Sequence, residues 1–216
     1  MFLFVGGSRI HPFADSFPRY TFGRVENLPG SKSRDYNCFS AGCMVITSVF
    51  LGRTYDSVAV EALEVQSRWK SGEIGMYEVA GEFVDSLLDL KSDPSNALIS
   101  DDWLPQVRVL TSTRYGAPQM AAASNRGELR TLLLKTSFIP FATGLGMTRD
   151  GENDGGFSFL FHPRCAHTVM LPATWRMLSN VLNVNMGMET VRELYEVGKE
   201  EEAAKERRRV EREEVE

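Results

Sequence analysis

The sequence predicts an α/β fold: a three-layer α/β/α domain on a mainly parallel central sheet. Three observations lead there. Short β-branched or aromatic runs alternate with longer stretches of helical periodicity, a pattern that builds layers of helix over sheet. Prolines and glycines break the chain between those stretches. The chain has 216 residues and 43% hydrophobic content, long enough for one well-packed core and short for two.

Residues 1–5, Met-Phe-Leu-Phe-Val, read as a buried strand leading into Gly6-Gly7. That run is too short for the apolar region of a secretory signal. A second strand is expected at residues 36–39 and an apolar helix at 44–50. Thr54 and Asp56 offer caps for a helix that repeats Val58, Ala62, Val65 and Trp69. The next pattern sets Met76, Val79, Ala80, Phe83, Val84, Leu87 and Leu88 on one stripe, with Glu78, Glu82 and Asp85 mostly opposite. Pro94, in a polar stretch at residues 91–96, ends it. Residues 106–113, with Val107 and Val109, read as a strand. Asn125 and Glu128 have capping-box spacing ahead of Leu129, Leu132 and Leu133, so a helix should deliver the chain to Pro140. A glycine-rich loop at residues 142–151 follows, then expected strands at 157–161 and 165–171. Residues 1–190 form the expected domain. Residues 191–216, almost wholly charged from Lys199 on, read as a solvated helix or frayed tail.

Composition narrows the function classes. Against 24 basic residues stand 29 acidic ones, and a net charge of −5 argues against a general nucleic-acid binder. Nothing approaches the ~20 apolar residues of a membrane span, so the expected location is intracellular, cytoplasmic or peripheral to membranes. The three cysteines Cys38, Cys43 and Cys165 give no complete disulfide framework and no metal-ligand spacing. A reducing compartment is expected, with Cys38 and Cys43 as small buried hydrophobes. No cofactor or metal is expected. Asp150, Glu152 and Asp154 share a loop that lacks an EF-hand pattern.

The chemistry concentrates at Ser40-Ala41-Gly42 and Asp154-Gly155-Gly156. A serine between a strand-like and a helix-like run fits a nucleophile elbow, although Cys38 stands where that pattern wants glycine. The plain alternative is a serine capping a helix. Asp154 could accept the serine proton directly, since two glycines after it permit a tight approach; the plain alternative is a surface turn. Backbone N–H groups of Gly6, Gly7 and Ser8, with that of Ala41, are candidate donors to a developing oxyanion, and Arg9 is a candidate support for that loop. The glycine-rich stretch lacks the Gly-Lys-Ser/Thr ending of a phosphate loop. Ser40, Asp154 and His167 also occur in the chain order of an α/β-hydrolase triad, against a reading of His167 as a strand residue.

In order along the chain stand Gly6-Gly7-Ser8-Arg9, Phe39-Ser40-Ala41-Gly42, Ser137-Phe138-Ile139-Pro140 and Asn153-Asp154-Gly155-Gly156-Phe157. This series resembles the patatin-like phospholipase family, and Glu193-Leu194-Tyr195-Glu196-Val197-Gly198 is similar to the tail of eukaryotic and algal members. The resemblance covers roughly residues 1–199. It implies a lipid acyl hydrolase with a Ser40/Asp154 dyad, an oxyanion hole at Gly6, Gly7 and Ser8, and no metal. The implied substrates are phospholipids or acylglycerols, met at a peripheral membrane or lipid-droplet surface. The chain departs from the family pattern at Ser8, Pro12, Pro18 and Cys38, and its first strand starts at Met1, as in an N-terminally shortened domain. Those departures keep a second expectation open, a patatin-like lipid-binding domain without catalysis.

Overall fold

The computed structural model describes residues 35–89, 100–140 and 143–161, and helical positions between 195 and 211. The described part is a mixed α/β arrangement. Strand β1 (Tyr36–Cys38) leads through Phe39 and Ser40 into helix α1 (Ala41–Phe50). Every α1 residue from Gly42 to Phe50 is buried, which makes α1 a core helix rather than an amphipathic surface one.

Helix α2 (Tyr55–Lys70) starts where its sequence caps it. The Thr54 side chain accepts a hydrogen bond from the Ser57 N–H, Asp56 lies in the first turn, and Arg68 and Lys70 lie in the last, all complementing the helix dipole. Helix α3 (Val79–Leu87) buries Val79, Ala80, Phe83, Val84 and Leu87, the stripe predicted from spacing. Helix α4 (Arg126–Thr136) is capped as predicted: the Asn125 side chain accepts from the Glu128 N–H at 2.9 Å, and the Glu128 carboxylate accepts from the Ser124 N–H at 2.9 Å. Charged pairs join the helices, Arg68 with Glu82 between α2 and α3 and Arg130 with Asp85 between α3 and α4.

A 3₁₀ turn (Leu104–Gln106) precedes strand β2 (Val107–Thr113). Just before it, Trp103 stacks on Phe50 at 5.2 Å, and Tyr36 meets Phe50 edge-on at 5.8 Å, so aromatic contacts join β1, α1 and the entry to β2. Strand β3 (Pro118–Ala122) follows β2 as a hairpin arm, exposed at every residue. Strand β4 (Glu152–Asp154) pairs with β2 as well, and a 3₁₀ helix (Gly155–Phe161) follows.

The sheet differs from the expectation of a mainly parallel one. Among the described residues β1 pairs with β2 in parallel, while β3 and β4 both pair with it antiparallel. Residues 157–161, expected as a strand, belong to the 3₁₀ helix. Gly155 and Gly156 let the chain coil there, and the Ser158 hydroxyl is drawn inward onto that of Ser112 at 2.6 Å. Residues 165–171, also expected as a strand, lie outside the described residues. In the charged C-terminal segment Tyr195 stacks on Tyr55 at 4.3 Å. No helix among the described residues is long and apolar enough to cross a membrane.

Candidate active site

Ser40 occupies the turn between β1 and α1 with φ 52° and ψ −144°. A non-glycine residue at positive φ costs on the order of 1–3 kcal/mol and persists only where its surroundings enforce it. The other two such residues among those described are Asp89 and Asp150, of a type that tolerates left-handed turns. Ser40 is the N-cap of α1, yet its side chain makes no capping hydrogen bond. Its hydroxyl lies close enough to the Asp154 carboxylate to lower that group's pKa. Without a side-chain capping bond, the helix-cap alternative does not describe the serine hydroxyl.

The sheet explains why these two residues meet. Thr111 and Ser112 pair with both β3 and β4, so β4 lies on the edge of β2 opposite β3, the edge that β1 also uses. β1 runs parallel to β2 and ends with Cys38 beside Val109; β4 runs antiparallel and ends with Asp154 beside Thr111. The two strands thus approach end to end, and the gap between them faces Leu110. Phe39 and Gly155 fill that gap. A Cβ on Gly155 would lie 2.6 Å from the Phe39 Cβ and 2.3 Å from the Leu110 carbonyl oxygen, so no side chain fits at that position.

The Leu110 carbonyl, facing the gap, finds its partner in Thr136, the last residue of α4. The Thr136 hydroxyl donates to it at 2.6 Å and accepts the Ser40 N–H at 2.9 Å. The Asp154 N–H donates to the Phe138 carbonyl at 2.9 Å. The backbone on either side of Phe138 is held in turn by the Thr143 hydroxyl, which accepts the Ile139 N–H at 2.8 Å and donates to the Ser137 carbonyl at 3.2 Å, while the Phe138 ring packs on Gly144, where a Cβ would fall 2.3 Å from it. The segment Ser137-Phe138-Ile139-Pro140 therefore acts as a backbone anchor for Asp154. The Ser137 hydroxyl itself turns back to the Leu133 carbonyl.

Asp154 is 6% exposed. Burial pushes its carboxyl up to about 6, against the lowering effect of hydrogen bonds from the Ser40 hydroxyl and the Gly156 N–H, the latter at 2.7 Å. A carboxylate poised near neutrality and bonded to a serine hydroxyl can serve as a general base. Two residues back on the same face, Glu152 bonds the Lys135 ammonium at 2.8 Å and the Thr111 hydroxyl. Burial acts to raise the Glu152 carboxyl, but these two partners outweigh it and hold it below the usual range.

The structure brings Ser40 and Asp154 together. Gly6, Gly7, Ser8, Arg9 and His167 lie outside the described residues. The Ala41 N–H, at the start of α1, has no acceptor among the described residues, and the first turn of α1 carries no acidic side chain. Among the described residues no cluster of His, Cys, Asp or Glu could hold a metal ion. One cysteine expectation is corrected: Cys38 and Cys43 are not separate small hydrophobes but form a disulfide, Cα to Cα 4.9 Å, around the Ser40 turn. The positive φ of Ser40 folds the six-residue stretch back on itself, which brings the two sulfurs within bonding range. Thr136 escaped sequence reasoning. Its only signal is a hydroxyl in the last turn of α4, directly before Ser137-Phe138-Ile139-Pro140.

Comparison of the chain with models of known protein families, with curated proteins and with solved structures gives no match. The class of the site therefore rests on the residues themselves.

Proposed function

We propose that this protein is a serine acyl hydrolase that cleaves carboxylic ester bonds of phospholipids or acylglycerols through a Ser40/Asp154 dyad, on a patatin-like three-layer α/β/α scaffold. One observation carries the reading: a serine strained at a strand-to-helix turn stands beside a buried carboxylate that burial raises to about 6. In this mechanism Ser40 Oγ attacks the ester carbonyl carbon while its proton passes to Asp154. Negative charge then grows on the carbonyl oxygen. The Ala41 N–H and the positive end of α1 favour it, together with the backbone of Gly6, Gly7 and Ser8 implied by the family resemblance. Asp154 returns the proton to the departing alcohol oxygen as the tetrahedral species collapses to an acyl-serine. Water, deprotonated by Asp154, releases the acid and restores Ser40.

The lipid nature of the substrate is supported by the order of the four motifs. It is further supported by Leu145 (75% exposed), Met147 (61%) and Phe157 (46%), apolar side chains open to solvent on the two segments flanking β4. The test is labelling by a fluorophosphonate probe, parent against Ser40→Ala, followed by hydrolysis of a short-chain ester and of a phospholipid. Labelling confined to the parent, with turnover of both esters, is the expected result. Equal labelling of both proteins would overturn Ser40 as nucleophile. A folded parent that neither labels nor hydrolyses would leave a lipid-binding domain without catalysis.

A further inference from the structure

We infer that Thr136 is a positioning residue of the dyad: through its hydroxyl it holds Ser40 in the backbone conformation that aims the serine side chain at Asp154. The inference deepens the acyl-hydrolase reading and rests on it for its catalytic consequence, but its geometry stands on Ser40, Thr136 and Leu110 alone.

The Ser40 turn must be held from outside, because positive φ is disfavoured for serine and the side chain makes no capping bond to stabilise the turn locally. Its neighbours Gly42 and Cys43 use their N–H groups on the Phe39 and Ser40 carbonyls, at 3.2 and 3.0 Å. The Ser40 N–H goes to the Thr136 hydroxyl, 96 residues further along the chain. Thr136 is fully buried, and its single hydroxyl hydrogen is committed to the Leu110 carbonyl, so the oxygen lone pairs face the Ser40 N–H. The acceptor is thus oriented before any substrate arrives. Leu110 is a central residue of β2 and Thr136 ends a capped helix, so the Ser40 N–H is tied to the sheet and to α4 at one point. Removing the hydroxyl leaves the Ser40 N–H and the Leu110 carbonyl both without their partner, and the turn is then free to relax toward negative φ. That relaxation swings Ser40 Oγ away from Asp154.

Thr136→Val keeps the shape and deletes the hydroxyl, whereas Thr136→Ser keeps the hydroxyl. Each is compared with the parent by ¹³C NMR titration of the Asp154 carboxyl, by the rate of fluorophosphonate labelling, and by kcat and KM for a short-chain ester. In the valine variant Asp154 loses the serine hydrogen bond that lowers it, so its titration midpoint moves above that of the parent. The other charged groups on β4 and at the end of α4, Glu152 and Lys135, are paired with each other and unchanged in every variant. Labelling and kcat should fall about 10²-fold, the scale of a ~1 Å misplacement, with KM little changed. Thr136→Ser should restore all three readouts to near the parent's. If the valine variant does not fold, Thr136→Ala is read in its place, since it removes the same hydroxyl without pressing a methyl group on the Leu110 oxygen.

A folded variant lacking the hydroxyl, with parent-like titration and labelling, would overturn the inference and leave the acyl-hydrolase reading untouched. A serine variant as impaired as the valine one would overturn it too. A parent without hydrolysis, whose Asp154 midpoint nonetheless rises in the valine variant, would uphold the role of Thr136 while removing the reaction proposed for the site.

Discussion

Gly155 lies so close to Leu110 that a Cβ on the glycine would stand 2.3 Å from the leucine carbonyl oxygen. Backbone oxygen in the middle of a sheet cannot give way as a flexible side chain can. Gly155→Ala should therefore cost about 2–4 kcal/mol of stability and displace Asp154, its immediate neighbour. Gly156→Ala is the milder change, since its Cβ would meet the Asp154 carboxylate at 3.0 Å, and it should disturb activity more than stability. Urea denaturation of the two variants, alongside ester hydrolysis, checks the order.

Activity should follow the ionisation of Asp154. With its carboxyl near 6, the base is largely protonated at pH 5 and largely ionised at pH 7, so kcat/KM should rise over that window with an apparent midpoint of about 6. A profile flat from pH 5 to 8 would remove Asp154 as the base.

Stability should move the other way. The folded carboxyl, at about 6, keeps a proton that the unfolded one, near 3.8, has already released, so this group's contribution is fully present below about pH 4 and is lost as pH rises to about 6. The difference amounts to about 3 kcal/mol. Glu152 titrates with the opposite sign, so the effect is isolated by comparison with Asp154→Asn. The asparagine variant should gain stability relative to the parent as pH rises from about 4 to about 6, while losing about 10²- to 10⁴-fold in hydrolysis. Denaturation curves for the two proteins at several pH values, with circular dichroism, supply the measurement.

His167→Ala distinguishes dyad from triad. If Asp154 serves Ser40 directly, removal of the histidine should leave hydrolysis within about tenfold of the parent, whereas a triad member is worth ~10³ or more. Steady-state kinetics of the folded variant decide it.

The disulfide closes only the short loop around Ser40, a sequence separation of 5, so chain entropy assigns it about 2 kcal/mol. Cys38 is 5% exposed and Cys43 fully buried, so the folded protein should resist dithiol reductants. Unfolding the parent with and without reductant, beside Cys38→Ala/Cys43→Ala, should show the loss in the reduced parent and no reductant effect in the double variant.

Helices that carry their own boundary chemistry were legible: Thr54 and Asn125 cap where a side-chain oxygen can reach the first turn, and the stripe from Val79 to Leu87 shows its buried face by spacing alone. The place of Ser40, at the joint of strand and helix, was legible because small residues mark such a joint. The three-residue strand Glu152–Asp154 was not, since it has no apolar alternation and exists only through pairing with β2. Conversely, Phe-Ser-Phe-Leu-Phe at residues 157–161 alternates like a strand, but two preceding glycines and the pull of Ser112 on Ser158 coil it. The exposed arm Pro118–Ala122 lacks β-branched residues and owes its form to the hairpin. The Cys38–Cys43 bond depends on the fold of the Ser40 turn, and Thr136 acts across 96 positions, neither of which residue spacing expresses.

Because β1 and β4 abut on one edge of β2, the separation of Ser40 and Asp154 is counted out in residues of a third strand that contributes neither of them. One residue added between Val109 and Thr111 would part the strand ends by about 3.4 Å and turn the following side chains to the other face. A longer turn between Thr113 and Ala117, where the hairpin swings toward solvent, would move neither. Tolerance to length change should thus be nearly nil within a few residues that perform no chemistry and generous a few positions later. Scanning single-residue insertions through this hairpin would trace that boundary as a map of which backbone the reaction depends on.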